Sequence, residues 1–297
     1  MRSILRILVV GGGGFLGNQI VSAIKVNDHE VASAGRKVHN TSADLSISFD
    51  IRIPLTYMNF LGEWKPDVVI QCAWPTEQIS YRQTHDNTKY LESTLKFARD
   101  CFNNGVKNFI GLGSCAEYGA VTSPCNANRT PVNPTDLYGE SKLKTYLALN
   151  ALTFEFGTTL VWARIFQPYG IGQDSSRLIP NAYNKLITGK TITLENPDTK
   201  LDWITSRDVG NAVTHILDRN ISGVLDVGTG IGTSVEDLLL TLAHNISVDP
   251  KLITRSKEAK IPNESNSLVV SKDAALLLSG WSPTDTIESG LKWALGL

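Results

Sequence analysis

The apolar run Arg6–Val10 passes directly into Gly11-Gly12-Gly13-Gly14-Phe15-Leu16-Gly17, and an amphipathic stretch follows at once, with Phe15, Leu16, Ile20 and Ile24 on one side. Few junctions constrain a fold so tightly. A buried strand that becomes a helix within a few residues needs glycine where the chain reverses and where strand and helix press together. The G-x-x-G-x-x-G spacing divides those tasks: Gly11 takes the tight turn, Gly14 lets the backbone approach a pyrophosphate, and Gly17 lets the helix close on the strand. The helix N-terminus adds free N–H donors and a partial positive charge for the phosphates. The junction predicts a dinucleotide site.

The rest of the first half keeps the same rhythm. Glu30–Ala34, Asp67–Cys72, Asn108–Gly113 and Thr159–Ile165 read as strands. Gly14–Val26, Pro54–Trp64, Ile79–Asn103 and Pro134–Phe156 read as the helices between them, with Pro134 suited to a first turn. Alternation of this kind implies right-handed crossovers onto a doubly wound parallel sheet, an α/β, Rossmann-like core. After Ile165 the rhythm loosens. Pro168–Gly172 is turn-rich, Leu178–Thr188 a short helix, Lys190–Leu194 a short strand, Ser206–Asp218 a helix returning to the core and Val224–Val227 a further strand. A final region begins at Ser234–His244, with turns at Pro250, Pro262 and Pro283. The reading is a dinucleotide-binding core over 1–165 and about 203–228, interleaved with a smaller substrate-binding lobe over about 166–202 and 229–297.

Composition narrows the partners. A net charge of −1 over 297 residues gives no basic excess for nucleic acid or a membrane surface. An anionic ligand must therefore be held by a few placed groups. Ile4–Val10 is too short for a signal peptide and runs into glycines rather than a cleavage site, and no later stretch is long enough to span a bilayer. Cys72, Cys101, Cys115 and Cys125 show no metal-ligand spacing and read as reduced thiols, so a soluble cytoplasmic protein without a metal is expected.

The end of the second strand bears on which dinucleotide fits. An acidic residue there binds the adenosine ribose diol and repels a 2′-phosphate. This chain has Ala34-Gly35-Arg36-Lys37 instead. Arg36, with Lys37 behind it, suits a 2′-phosphate, so NADP(H) is favoured and NAD(H) is the alternative. Asp50 and Ile51, after Phe49, are expected at the edge of the adenine pocket.

Tyr138 and Lys142 stand four apart on one predicted helix and share a face. A phenol of pKa ~10 is a poor base at neutral pH, and a neighbouring ammonium favours its phenolate. By itself this spacing is common. Ser114 gives it weight, because it stands where a parallel strand ends, on the side where such sheets bind ligands. Its hydroxyl can donate to an oxygen on which charge develops during hydride transfer.

Together these features resemble the extended short-chain dehydrogenase/reductase family, also called the NAD-dependent epimerase/dehydratase family, over nearly the whole chain. Gly11–Gly17 is similar to its first loop, and Pro66–Val69 to its lead-in to the next core strand. Asn87 falls where the family keeps an asparagine. Gly113–Gly119 resembles the catalytic serine/threonine segment, and Tyr138–Lys142 the active-site helix. Arg164–Gly170 resembles R-x-F-N-x-Y-G with Gln167 for asparagine, Asp202–Ile204 with Arg207–Val209 resembles the start of the return to the core, and Gly280–Pro283 resembles the C-terminal G-W-x-P. The resemblance implies catalytic Ser114, Tyr138 and Lys142. It implies a cofactor site of Gly11, Gly14, Phe15, Leu16, Gly17, Arg36, Asp50, Ile51, Cys72, Ala73, Asn87, Tyr138 and Lys142. It also implies substrate contacts at Trp74, Ser114, Gln167, Arg177 and Leu178, and a homodimer through the two long helices.

Departures narrow the chemistry. The family's dehydratases carry acids directly after the serine or threonine, where this chain has Cys115 and Ala116, and Glu117 comes one place late. The same absence speaks against decarboxylation. A 3,5-epimerase needs a histidine beside its cysteine, and none stands at a matching place. The leading expectation is NADPH-dependent reduction of a nucleotide-linked 4-keto(-6-deoxy) sugar, which the Arg177-Leu178-Ile179-Pro180 run most resembles. The alternative is an NAD-dependent nucleotide-sugar 4-epimerase. A protein that keeps the fold as a dinucleotide sensor or scaffold is a third reading. Trp74, Pro75 and Tyr81 are expected to wall the sugar pocket, and Arg207 and Lys200 are alternative phosphate ligands. His85 and His215 have no assigned role.

Overall fold

The computed structural model describes residues 4–36, 42–76, 80–121, 124–258 and 267–297. Lys37, Ile79 and Pro262 lie outside them. The chain begins β1 (Arg6–Val10), α1 (Phe15–Ile24), β2 (Glu30–Gly35), β3 (Leu45–Ser48), α2 (Met58–Trp64), β4 (Val68–Gln71), α3 (Asp86–Asn103), β5 (Asn108–Ser114), α4 (Leu137–Phe156) and β6 (Thr159–Ile165). It continues β7 (Gln167–Tyr169), α5 (Leu178–Leu186), β8 (Ile192–Leu194), β9 (Lys200–Thr205), α6 (Ser206–Arg219), β10 (Gly223–Val227), β11 (Gly232–Ser234), α7 (Val235–Asn245), β12 (Ile253–Arg255), α8 (Ala275–Leu278) and α9 (Ile287–Leu295).

Seven parallel strands form the main sheet in the order β3-β2-β1-β4-β5-β6-β10. Strand order reverses between β1 and β4, and ligands of such sheets bind at that crevice, beyond the strand carboxyl ends. Both faces are covered. One side buries Ile7, Val9, Ile20, Ile24, Val213 and Ile216 between the sheet and α1 and α6. The other buries Leu8, Val10, Tyr57, Phe97, Phe109 and Leu149 beneath α2, α3 and α4. Strands buried on both faces read as continuous apolar runs, which is why this sheet was legible.

The differences from the sequence reading have local causes. β3 gave no signal because it is an edge strand, with three of its four residues exposed. α4 begins at Leu137, three residues after Pro134, because Asp136 accepts a hydrogen bond from the Gly139 N–H at 2.7 Å and so caps the helix there. α3 starts at Asp86, since the chain turns through residues 80–83. β7 is a strand where turns were expected.

β7 also corrects the placement of β9. Asp202–Ile204 was read as part of the return to the core, but β9 lies between β7 and β11 in a separate three-stranded sheet. β7 leaves the main sheet one residue after β6 and offers β9 a free edge. The return is made by α6, against α1, and by β10 beside β6. A further core of Tyr169, Ile179, Leu186, Trp203, Leu238 and Leu242 forms around this second sheet. Among the described residues no helix is long and apolar enough to cross a membrane.

Candidate active site

The glycine loop is held against β2. The Gly11 N–H donates to the Ala34 carbonyl at 2.7 Å, and Gly11 sits at φ +79°, where a side chain would be strained. A Cβ there would also stand 2.8 Å from the Ala73 amide nitrogen. One on Gly17 would collide with the Gly11 carbonyl oxygen, and one on Gly12 with the Ser33 side chain. Gly14 is different: it is exposed, and its Cβ would meet only the Gly11 oxygen, at 3.1 Å. No side chain caps α1, and its first turn carries no acid. This is an open cradle facing a helix N-terminus, and it fits a dinucleotide pyrophosphate.

Arg36 is exposed just beyond β2, as expected. Its charge reaches Asp50, whose carboxyl is held below its usual range first by hydrogen bonds from Arg52, with Arg36 adding a smaller effect. Asp50 is clamped by the Arg52 guanidinium at 2.5–3.1 Å. The Ile51 side chain is buried with Phe49 and Tyr57 in the core.

Ser114 ends β5 in an extended conformation and caps a short 3-10 turn, Cys115–Tyr118. Its hydroxyl accepts from the Ala116 N–H at 3.2 Å. A Cβ on Gly139 would lie 2.6 Å from the Ala116 carbonyl oxygen, so the first turn of α4 presses directly on this segment. That contact brings Tyr138 to Ser114. The Tyr138 N–H donates to the Arg82 carbonyl at 3.0 Å, and its ring meets Tyr81 edge-on at 5.1 Å. One turn further, Lys142 is buried and donates to the Leu112 carbonyl at 2.7 Å.

Burial, then the neighbouring Tyr81, raise the Tyr138 hydroxyl above its ordinary range; a hydrogen bond with Ser114 and the charge of Arg82 act the other way. The same burial draws Lys142 down to about 7, against the opposing charge of Glu117. From the sequence, the Lys142 ammonium is expected to lower the pKa of Tyr138. In the chain alone, the desolvation that raises the phenol also weakens the ammonium.

Substrate-side residues converge in part. Arg177, before α5, reaches across to donate to the Thr76 carbonyl at 2.5 Å, and its guanidinium lies 4.4 Å from the Tyr81 ring centroid. Gln167 points at Cys115, with its amide 3.6 Å from the sulfur. Burial pushes that thiol up to about 12, which removes it as a thiolate base. Leu178 turns instead toward a groove lined by Ala182, Ile192, Leu194 and Val235. Arg207 is engaged with Asp285 at 2.6 Å, and His215 with Ser279 at 3.0 Å. Asn87 spends its amide on protein: it donates to the Tyr81 and Thr84 carbonyls and accepts from Trp74.

Two supporting features escaped the sequence reading. Arg82 pairs with the capping Asp136 and so ties the start of α4 to the Tyr81 segment. Glu117, fully buried, accepts from the Ser114 N–H at 2.9 Å, from Trp162 Nε1 at 3.0 Å and from Arg164 Nε at 2.8 Å. Gly111 and Gly113 leave room for Trp162, since a Cβ on either would strike the indole. The alternating glycines of that strand were the signal, unreadable without knowing what lies over them.

The network continues from Arg164 to Tyr118, and from the Tyr118 hydroxyl to Asp226 at 2.8 Å. Among the described residues the second Asp226 oxygen has no close hydrogen-bond partner, and burial pushes the carboxyl up to about 6 from 3.8, against the Tyr118 hydrogen bond, the Arg164 charge and the Ala127 N–H. The folded state therefore keeps a proton that the unfolded chain releases, and stability falls as pH rises from about 4 through about 6. Asp226→Asn is expected to gain about 1–2 kcal/mol over wild type at pH 7.5 and markedly less at pH 5, read from urea midpoints. Equal offsets at both pH values would dismiss Asp226 as the titrating group.

The sequence profile of the NAD dependent epimerase/dehydratase family matches residues 7–228. A UDP-glucose 4-epimerase of Lactobacillus helveticus is 25% identical over 97% of each chain. A GDP-6-deoxy-D-talose 4-dehydrogenase of Aggregatibacter actinomycetemcomitans is 25% identical over 81% of this chain and 80% of its own. In fold, the chain is similar to the crystal structure of the Thermus thermophilus UDP-glucose 4-epimerase in complex with NAD, with a TM-score of 0.85 at 22% identity over 98% of each chain.

Proposed function

The chain belongs to the NAD-dependent epimerase/dehydratase family, and on that premise we propose that it interconverts a carbinol and a ketone at C4 of a nucleotide-linked hexose. The observation that carries this reading is the convergence of Ser114, Tyr138 and Lys142 at the carboxyl end of β5, beside the glycine cradle. A bound nicotinamide dinucleotide supplies or removes hydride at the sugar carbon. Tyr138 gives a proton to the C4 oxygen or takes it away. Ser114 donates a hydrogen bond to the same oxygen as charge builds there. Lys142 holds the nicotinamide ribose and favours the phenolate. Arg177 and Gln167 meet the sugar nucleotide, with Trp74 and Tyr81 as pocket walls. The strands of 6–165 with β10 serve the dinucleotide, and the second sheet and its helices serve the substrate. A homodimer through α3 and α4 belongs to the same reading, with Leu147 and Phe154 exposed on α4.

The order of the two activities changes from the sequence expectation. The likeness to UDP-glucose 4-epimerases in both sequence and fold favours 4-epimerisation with retained NAD as the first reading. Reduction of a 4-keto sugar with NADPH is the second, favoured by Arg36 and the missing carboxylate at the end of β2. Energy transfer from tryptophan to reduced nicotinamide separates them. The first reading expects NADH to bind at least tenfold more tightly than NADPH, with dinucleotide carried through purification. NADPH tighter by that factor, and weakened by Arg36→Ala, would put the reductase first.

A further inference from the structure

Lys142 lies closer to Trp74 than to the tyrosine it serves. Its ammonium nitrogen is 3.9 Å from the Trp74 ring centroid and 5.8 Å from that of Tyr138. The indole is pinned in that position. Its Nε1–H donates to the Asn87 side-chain oxygen at 2.8 Å. Asn87 is itself fully buried and cannot turn, because its amide nitrogen donates to the carbonyls of Tyr81 at 2.7 Å and Thr84 at 2.9 Å. Tyr90 packs behind the indole, with ring centroids 6.1 Å apart.

The other groups around Lys142 do little to hold its charge. β5 offers the Leu112 carbonyl, which accepts a hydrogen bond from one of its three N–H groups. The Cys72 thiol, at the end of β4, is pushed up to about 12 by burial and is neutral. The Glu117 carboxylate acts on Lys142 through space but is ion-paired with Arg164 at 2.8 Å. Tyr138, on the same helix, is protonated at neutral pH. Among the described residues the aromatic face of Trp74 is, beside the Leu112 carbonyl, the direct partner of the ammonium, and a desolvated cation over tryptophan is the strong form of that contact.

We propose that Trp74 is a positioning residue of the hydride-transfer site, its indole face, locked by Asn87, presenting Lys142 to the Tyr138 hydroxyl as an ammonium. This rests on the role assigned to Lys142 under the proposed function. Burial already draws Lys142 to about 7, so a modest loss of support discharges it at neutral pH.

The test is a titration of the protein labelled with ¹³C at the lysine ε-carbons, followed by NMR from pH 5 to 9.5, with Lys142→Met assigning the resonance. Trp74→Leu is expected to lower the Lys142 midpoint by about one pH unit, whereas Trp74→Phe, which keeps an aromatic face, moves it by much less. Trp74→Met serves in the same way should the leucine variant be unstable. An unchanged midpoint in the leucine or methionine variant overturns the proposal, as does an equal shift in the phenylalanine variant. Turnover of UDP-glucose with NAD, or of a dTDP-linked 4-keto-6-deoxyhexose with NADPH, adds a second readout. The alkaline limb of kcat is expected to move down with the Lys142 midpoint, and by much less in Trp74→Phe than in Trp74→Leu. A wild-type protein inert toward both sugars would strike the proposed function and leave the lysine titration standing.

Discussion

Tyr138→Phe is expected to cut turnover by about 10³-fold while NADH and NADPH bind within a few-fold of wild type. The substitution removes one oxygen and leaves the ring, so the edge-on contact with Tyr81 and the packing of α4 through Gly139 are kept. On the proposed function, what is lost is the proton relay to the sugar oxygen, and general acid–base catalysis contributes about 10²–10⁴ in rate. Steady-state assays with both candidate sugars, paired with the nicotinamide titration, read the two quantities separately. Lost dinucleotide affinity with turnover retained would contradict the assignment of Tyr138, and with it the site.

Glu117→Gln is expected to cost about 3–5 kcal/mol, the cost of leaving one partner of a buried ion pair uncompensated. Glu117 is wholly inaccessible and Arg164 nearly so, and the two are 2.8 Å apart. The amide also forfeits an acceptor, because its nitrogen would face the N–H groups of Ser114, Trp162 or Arg164. Urea unfolding monitored by circular dichroism measures the loss. A change below about 1 kcal/mol would mean that the pair contributes no more than an exposed one. A carboxylate three residues after Ser114 is structural here: every hydrogen bond it makes holds the strand end in place.

Several parts of the site were legible because the physics that selects them is local. Gly11 needs a left-handed turn and Gly17 a close approach, and both needs arise within seven residues of chain. Tyr138 and Lys142 share a helix face by spacing alone. Other parts depended on distant neighbours. Asp50 was read at the adenine edge; its pairing with Arg52 lies two residues along the chain, but its proximity to Arg36 comes from the chain folding β3 beside β2. An apolar residue after a strand end can face a ligand or the core with the same local pattern, and packing sends the Ile51 side chain to the core. Leu178 follows Arg177 directly, yet helix geometry sends the two in different directions, one to Tyr81 and one to the groove beside β8. After Ile165 the Lys190–Leu194 reading contains β8, but β7, β11 and β12 escaped because they are three residues each, too short to carry a period.

The sequence by itself determined the parallel sheet, the glycine cradle and the shared helix face of Tyr138 and Lys142, since apolar runs, glycine spacing and helical periodicity act over a few residues and survive without context. Only the tertiary structure decided what those residues experience. Burial turns Lys142 from a strong base into one that titrates near neutrality, packing sets Trp74 over it, and Arg164, 47 residues beyond Glu117, makes a carboxylate beside Ser114 part of the scaffold. Charge state and contact depend on dielectric and distance, and those belong to the folded chain.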